Sequence, residues 1–342
     1  MNKQINVGIV GFGKMGVLHA GILNALPDCN VKAICETEPL VRKIASKALP
    51  PVRFYDSPFD MATQESLDAV YVTTPIPSHL SVVTELARSG KRLGVFVEKP
   101  LAGSTQEARQ IVEVTSKFAT ADMIGFQKRF LPQFLRAKEL LDEGALGEVT
   151  SFHGYSYLAS VFSKGRGWRF KRGEGGALLD LGPHLIDIVI WYFGMPSSIM
   201  ARESSTYSEL VEDSAHIEFG FKEGISGSVD VSWSKEGYRL PETCLEISGS
   251  NGILKVSDDI LELNITKGIV GLAQGGRSVL RRPELLRGVD FLLGDPEYCL
   301  EDEQFLLALR NESPAAPSLE GGVGVNKVIE LAHAAAAKGD SE

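Results

Sequence analysis

The chain has 342 residues, which exceeds one typical domain and suits two, with room for at least one full core. A hydrophobic fraction of 44% beside 23% charged residues is that of an ordinary globular protein. The formal charge of −9 argues against nucleic acid or an anionic membrane as a non-specific partner, and no apolar run reaches the ~18 residues of a membrane span.

The start, Met1-Asn2-Lys3-Gln4, passes straight into a strand-like run without a signal-peptide pattern. Cys29, Cys35, Cys244 and Cys299 form neither CxxC nor zinc spacing, and read as reduced core thiols of a cytoplasmic protein. The first third alternates short apolar strands with helical patterns. Strands are expected at 5–10, 31–35, 52–55, 69–73, 94–97 and 122–126, and helices at 14–26, 39–48, 78–89 and 104–118. Ser104 followed by Glu107 is a capping box that starts the last of these helices. Val- and Ile-rich strands alternating with helices imply a parallel sheet covered on both faces, hence an α/β doubly wound, Rossmann-like domain over 1–126.

The pattern changes after Phe126. A helix is expected at 132–143. Longer alternating strands follow at 148–157, 198–205, 214–221, 224–233, 243–248 and 252–257, with one strong helix at 178–193 among them. The Gly- and Arg-rich stretch 268–288 reads as a loop, and a helix at 321–338 closes the chain. Residues 127–342 are therefore expected to form an α+β domain on a large open, mostly antiparallel sheet.

Gly11-Phe12-Gly13-Lys14-Met15-Gly16 fits G-x-G-x-x-G, follows a strand and opens a helix. The first glycine allows a tight turn, the second lets backbone approach a pyrophosphate, and the third lets helix and strand pack closely. A pyrophosphate would sit at the helix N-terminus. Glu36 ends the second strand 20 residues after Gly16, where an acid takes the ribose hydroxyls and repels a 2′-phosphate. NAD is thus favoured over NADP, although Arg42 and Lys43 nearby keep NADP open.

Glu98-Lys99-Pro100 sits at the C-terminal end of a parallel strand, where open α/β sheets bind ligands. Pro100 restricts Lys99 to an extended conformation and allows a cis bond, so the lysine is aimed. Asp180, His184 and Asp187 are spaced i, i+4, i+7 and would share one face of an otherwise apolar helix. A polar stripe on a buried helix must meet partners or line a cleft. A metal site there lacks further His or Cys at ligand spacing.

Taken in order, GFGKMG, EKP near residue 98 and GG-x-x-x-D-L-G-x-H-x-x-D near residue 180 resemble the glucose–fructose oxidoreductase / inositol dehydrogenase / MocA family across essentially the whole chain. Trp168-Arg169 and Gln127-Lys128-Arg129-Phe130 also look like family features. The resemblance implies hydride transfer between NAD(P) and a hydroxyl or carbonyl carbon of a sugar, sugar derivative or cyclitol. It also implies a second domain whose sheet serves a homodimer or homotetramer. By that resemblance Lys99, Asp180 and His184 are the catalytic group. His184 suits proton transfer near neutral pH, Lys99 suits a developing negative charge, and Asp180 suits orienting the pair. Either Lys99 or His184 can be the base.

Cofactor contacts are expected from the turn 11–16, from Glu36, Thr74, Pro75, Glu98 and Lys99, and from His79, which would cap or pack near the cofactor rather than react. Ile76 stands where relatives often have Asn, so a polar contact is expected to be replaced there. Substrate contacts are expected from Lys99, Arg129, Trp168, Arg169, Asp180 and His184. Arg166, Lys171 and Arg172 are further cationic candidates for an anionic sugar, and Tyr157 could stack on a sugar ring or lie in the core. His153 and His216 read as strand residues with structural partners. An NAD-dependent glycosidase with transient sugar oxidation and a non-catalytic cofactor-binding regulator are the rival readings.

Overall fold

The computed structural model describes residues 4–49, 51–165, 167–172, 174–268, 275–285 and 295–339. They fall into two compact units. The first holds 4–127 and 295–326, and the second 128–285 and 327–339. The dinucleotide unit is therefore not one continuous stretch, as the 1–126 boundary implied.

In the first unit, β1 (Ile5–Val10), α1 (Lys14–Ala25), β2 (Cys29–Cys35), α2 (Pro39–Ala48), β3 (Arg53–Tyr55), α3 (Pro58–Gln64), β4 (Ala69–Val72), α4 (His79–Arg88), β5 (Leu93–Val97), α5 (Thr105–Ser116) and β6 (Ala119–Ile124) alternate. Among the described residues, the six strands are parallel in the order β3-β2-β1-β4-β5-β6, the doubly wound arrangement expected. Every residue of β4 and β5 is buried, which is why these strands read as unbroken apolar runs. Ser104 Oγ accepts from the Glu107 amide and caps α5. The helix α3 was not expected, yet Ser57 caps it by accepting from the Asp60 amide, and Pro58 opens it. β6 begins three residues earlier than expected because Ala119 already pairs with Leu93, across a register irregularity. The exposed Thr120 is tolerated there because β6 is an edge strand.

The second unit contains α6 (Pro132–Asp142), β7 (Val149–Tyr157), α7 (Ala177–Asp180), α8 (Gly182–Phe193), β8 (Ser198–Ser204), β9 (Ser214–Gly220), β10 (Ser226–Ser232), β11 (Glu242–Gly249), β12 (Gly252–Ser257), β13 (Ile260–Ile265), β14 (Gly276–Arg281) and α9 (Arg282–Leu285). Its eight described strands run in the order β14-β13-β12-β11-β7-β10-β9-β8. Only the β7–β10 pair among them is parallel, so the sheet is mostly antiparallel as expected. The loop expected over 268–288 is corrected: 276–281 is β14, paired with β13, and α9 follows it. The rest of that stretch, 269–274 and 286–288, lies outside the described residues.

The single helix expected at 178–193 is two. Pro183 has no N–H to give the Leu179 carbonyl, and the chain breaks at Leu181 between α7 and α8. Two helices end the chain. The first, α10 (Pro296–Arg310), was missed and belongs to the first unit; α11 (Leu319–Gly339) begins in the first unit and ends in the second. No helix among the described residues is long and apolar enough to cross a membrane. The four cysteines are free, and burial pushes the Cys29 and Cys35 thiols up to about 12, which leaves them unreactive as core thiols.

Candidate active site

The glycine turn lies between β1 and α1. A Cβ on Gly16 would come 2.1 Å from the Gly11 carbonyl oxygen, so only glycine lets the helix start this close to the strand. A Cβ on Gly13 would meet nothing within 4 Å, so the second glycine leaves open space against the backbone. No side chain caps α1, and its first amides have no intrahelical partner. Open backbone and uncapped amides at one helix N-terminus fit a pyrophosphate. Glu36 is tied to this turn: its Oε2 accepts the Phe12 amide at 2.8 Å, and its Oε1 accepts the Glu38 amide at 2.8 Å. Arg42 is drawn to the Glu36 carbonyl, 2.7 Å away, and lies 3.9 Å from Asp56. Gly16→Ala is expected to weaken NADH binding tenfold or more, about 1.4 kcal/mol, in a fluorescence titration. Unchanged affinity would show that the close approach is not needed.

Beside the turn, Thr73 Oγ1 donates to the Gly11 carbonyl at 2.7 Å. His79 is buried, with Nε2 2.8 Å from the Thr74 carbonyl and Nδ1 3.0 Å from the Leu101 carbonyl. Burial holds its pKa below the ordinary value, against those two bonds. His79 therefore fixes the backbone at Thr74-Pro75, and both ring nitrogens are occupied by protein. Ile76 is buried, so apolar packing stands where a polar contact was expected to be replaced. Glu98 is also buried. Its Oε1 faces His19 Nε2 at 3.1 Å and its Oε2 accepts the Lys99 amide at 3.0 Å, so both oxygens of this residue, expected at the cofactor, are engaged by protein. The Lys99–Pro100 bond is cis.

The other candidates lie in the second unit. Asp180 ends α7 and is ion-paired with Arg169, whose guanidinium sits 5.2 Å from the centre of the Trp233 ring. Trp233 is fully buried and donates through Nε1 to Asp213 at 3.1 Å. The two glycines before α7 allow this local packing. A Cβ on Gly176, at φ +116°, would strike the Glu212 carboxylate at 2.2 Å. Glu212 Oε1 instead accepts the Leu178 amide at 2.8 Å and caps the helix. His184 lies buried in the first turn of α8.

A one-residue interruption at Leu181, itself in the right-handed helical region, separates Asp180 on α7 from His184 and Asp187 on α8, and each acid has its own arginine. Arg129 binds Asp187 through two bonds, 2.7 Å from Nε and 2.6 Å from Nη2, and lies 5.3 Å from the Trp191 ring. Arg129 is thus held by the protein. Trp168 is half-buried in a short 3₁₀ turn with Arg169 and Phe170. Lys171 and Arg172 are exposed, and Arg166 lies outside the described residues. Tyr157 stacks on Tyr155 at 4.6 Å, beneath Lys235, so it joins an aromatic cluster on the sheet. His153 and His216 have strand partners, Ser228 and Asp230, as expected. Glu203, Glu212 and His333 place potential ligand atoms within 4.8 Å of one another, which the sequence did not suggest. Protein contacts account for them: His333 donates to Glu203 at 2.6 Å, and Glu212 caps α7.

Residues 5–123 match the model of an oxidoreductase family with an NAD-binding Rossmann fold, and residues 134–255 match the GFO/IDH/MocA C-terminal domain. The chain belongs to the GFO/IDH/MocA oxidoreductase family. It is accordingly an NAD-binding oxidoreductase. It is 28% identical over 261 residues to the D-apiose dehydrogenase of Paraburkholderia graminis, covering 75% of this chain and 68% of that one. It is 24% identical over 341 residues to an inositol 2-dehydrogenase of Rhizobium meliloti, covering 96% of both. In fold it is similar to a levoglucosan dehydrogenase solved with NADH and levoglucosan, at TM-score 0.86 and 23% identity over 98% of this chain and 97% of that one.

Sequence reasoning missed His19, Asp302, Glu212 and Trp233 as parts of these arrangements. His19 lies three residues after Gly16, on the buried side of α1, and that placement was a readable signal. Its partner Asp302 is 283 positions away, with no motif to join them.

Proposed function

We propose that this chain is an NAD-dependent dehydrogenase or reductase of a sugar, sugar derivative or cyclitol, with Lys99, Asp180 and His184 as its catalytic residues. The observation that carries the cofactor half is the turn at Gly13 and Glu36, where open backbone, uncapped amides and a fixed carboxylate match a dinucleotide. NAD, when bound, supplies the hydride acceptor or donor. The sugar half is supported by relatives named D-apiose dehydrogenase and inositol 2-dehydrogenase.

In the oxidative direction a substrate hydroxyl would give its proton to an imidazole or amine of this chain. His184 can exchange that proton near neutral pH. Lys99 hydrogen-bonds the same oxygen and steadies the charge that develops on it. Asp180, held by Arg169 over Trp233, would add a fixed negative charge to the catalytic group. Trp168 and Arg169 are the half-buried substrate-side candidates on the segment before Asp180. Arg129 acts there by holding Asp187 on the helix that carries His184. Thr74, Pro75 and His79 serve the cofactor as one fixed loop.

The test is a panel of D-apiose, myo- and scyllo-inositol, levoglucosan, sugar acids and sugar nucleotides, each with NAD and NADP, read at 340 nm. Net NADH formation, or NADH consumption with the ketone, is expected with at least one member. Glycoside cleavage without net NADH supports the glycosidase reading instead, and cofactor binding without any chemistry supports a regulator. Glu36 beside the turn is expected to make NADH bind roughly tenfold or more tighter than NADPH. A preference for NADPH overturns that part.

The proposal includes a homodimer or homotetramer in the cytoplasm. Its support is the face of the eight-stranded sheet that carries the Tyr155–Tyr157 stack, on which Met200 is 64% exposed and Ile253 43% exposed. Light scattering that reports a monomer at micromolar concentration rules the oligomer out.

A further inference from the structure

Beneath the strand end that carries Lys99, the first unit buries several ionisable side chains that hydride transfer does not itself require. His19, on α1, is wholly buried against the stacked rings of Tyr71 and Phe96, with ring centres 5.3 and 5.1 Å away. Its Nδ1 lies 2.9 and 3.0 Å from the two oxygens of Asp302 on α10, and its Nε2 lies 3.1 Å from Glu98 Oε1. A ring with a carboxylate at each nitrogen can satisfy both only as a double donor, that is, as an imidazolium. Burial works against that charge, but Asp302 and Glu98 outweigh it and hold the His19 pKa well above its ordinary value. Other ionisable groups facing the cluster are Cys29 from β2, Tyr71 from β4, and Tyr298, Glu297 and Glu301 from α10. Burial pushes the Glu301 carboxyl well above its ordinary value, and Glu98 adds to the push.

Glu98 is gripped on every side. One oxygen meets His19 and the other accepts the amide of Lys99, its own neighbour. Its carboxyl lies so close to Gly125 that a Cβ there would come 3.1 Å from Oε2. On the other side of Lys99, Pro100 narrows the backbone to extended conformations. The lysine's backbone is therefore fixed from both ends, by a charge-assisted bond to its amide and by the proline after it.

We propose that Glu98 is a positioning residue that aims Lys99, and that His19, held from behind by Asp302, keeps Glu98 in place. This rests on the reading above that Lys99 acts on the substrate oxygen. Glu98 does not touch the substrate. It acts by setting where the Lys99 side chain starts, and a misplacement of about 1 Å can cost up to ~10²-fold in rate.

The test is a double-mutant cycle of Glu98→Ala with Lys99→Ala, using the sugar that turns over fastest in the panel, with NADH titrated separately by fluorescence. Glu98→Ala is expected to lower kcat roughly tenfold or more, with the KM for sugar and the Kd for NADH within about threefold. In the Lys99→Ala background the same change is expected to alter kcat by less than about twofold, because there is no amine left to aim. Glu98→Gln, whose amide oxygen still accepts the Lys99 N–H, is expected to recover most of the loss. Should Glu98→Ala not fold, Glu98→Asp takes its place in the cycle, since its shorter side chain cannot hold both partners. Equal losses with and without Lys99, or a loss carried by NADH affinity, overturn the proposal.

Near-normal turnover by Lys99→Ala alone would overturn the catalytic reading instead. The hold on Glu98 is then decided by nitrogen-15 histidine spectra at pH 8, with His19 assigned through His19→Gln. Two protonated ring nitrogens that become one in Glu98→Gln support it. One protonated nitrogen in the unsubstituted protein overturns it.

Discussion

Replacing Lys99 by alanine is expected to lower kcat by a factor of 10² or more while NADH still binds. A placed proton-transfer group is worth ~10²–10⁴ in rate, and a single preorganised donor to a developing oxyanion about 2.7–4 kcal/mol. A loss of 10² corresponds to about 2.7 kcal/mol of barrier, within both ranges. The side chain is removed from a strand end whose backbone is anchored at Glu98 and Pro100, so the cofactor turn at Gly11–Gly16 has no reason to move. NADH titration separates the two effects. Turnover within about threefold of the unsubstituted enzyme would remove Lys99 from the chemistry.

The largest expected effect on stability comes from Arg129→Ala. Asp187 is 1% exposed, and Arg129 supplies both hydrogen bonds to its carboxylate. Breaking a buried pair from one side leaves the other charge unpaired and costs about 3–5 kcal/mol. Burial already pushes the Asp187 carboxyl above its ordinary 3.8, and Arg129 is what opposes that push. Without the arginine the folded-state value climbs further. An acid with a raised folded value binds its proton more tightly folded than unfolded, so stability falls as pH rises above 3.8 toward that raised value. The deficit of the variant in urea melts is therefore expected to widen from pH 4 upward through the acid range. Arg129→Met combined with Asp187→Leu is expected to recover much of it, because no charge is left behind. A deficit below about 1 kcal/mol that does not change with pH would assign the pair to ordinary surface electrostatics.

What could be read from the sequence was what local geometry dictates. The glycine turn was legible because Gly16 answers to a carbonyl five residues away, and the strand–turn–helix order surrounds it. β4 and β5 were legible because burial on both faces leaves only apolar residues. The helix α10 was not, because its acids Glu297, Glu301 and Asp302 look like a solvated face and are buried. Asp302 is answered by His19, which the chain meets 283 residues earlier. The break at Leu181 was signalled by Pro183, but the apolar periodicity running through 178–193 concealed it. Arg129 and Asp187 each stood out as polar residues in a candidate region. Only the fold shows that they answer each other.

The interrupted layout of the first unit bears on the order in which the protein is made. The chain leaves that unit after residue 127 and returns to it by residue 295, carrying α10 and the start of α11. A ribosome releases β1 to β6 long before it releases Asp302. Until then His19 has Glu98 as a partner but not the second carboxylate that balances it. Completion of the nucleotide-binding half must therefore wait for synthesis of nearly the whole second unit. A nascent chain stalled short of residue 302 would carry the glycine turn and the EKP strand without the Asp302 carboxylate that meets His19.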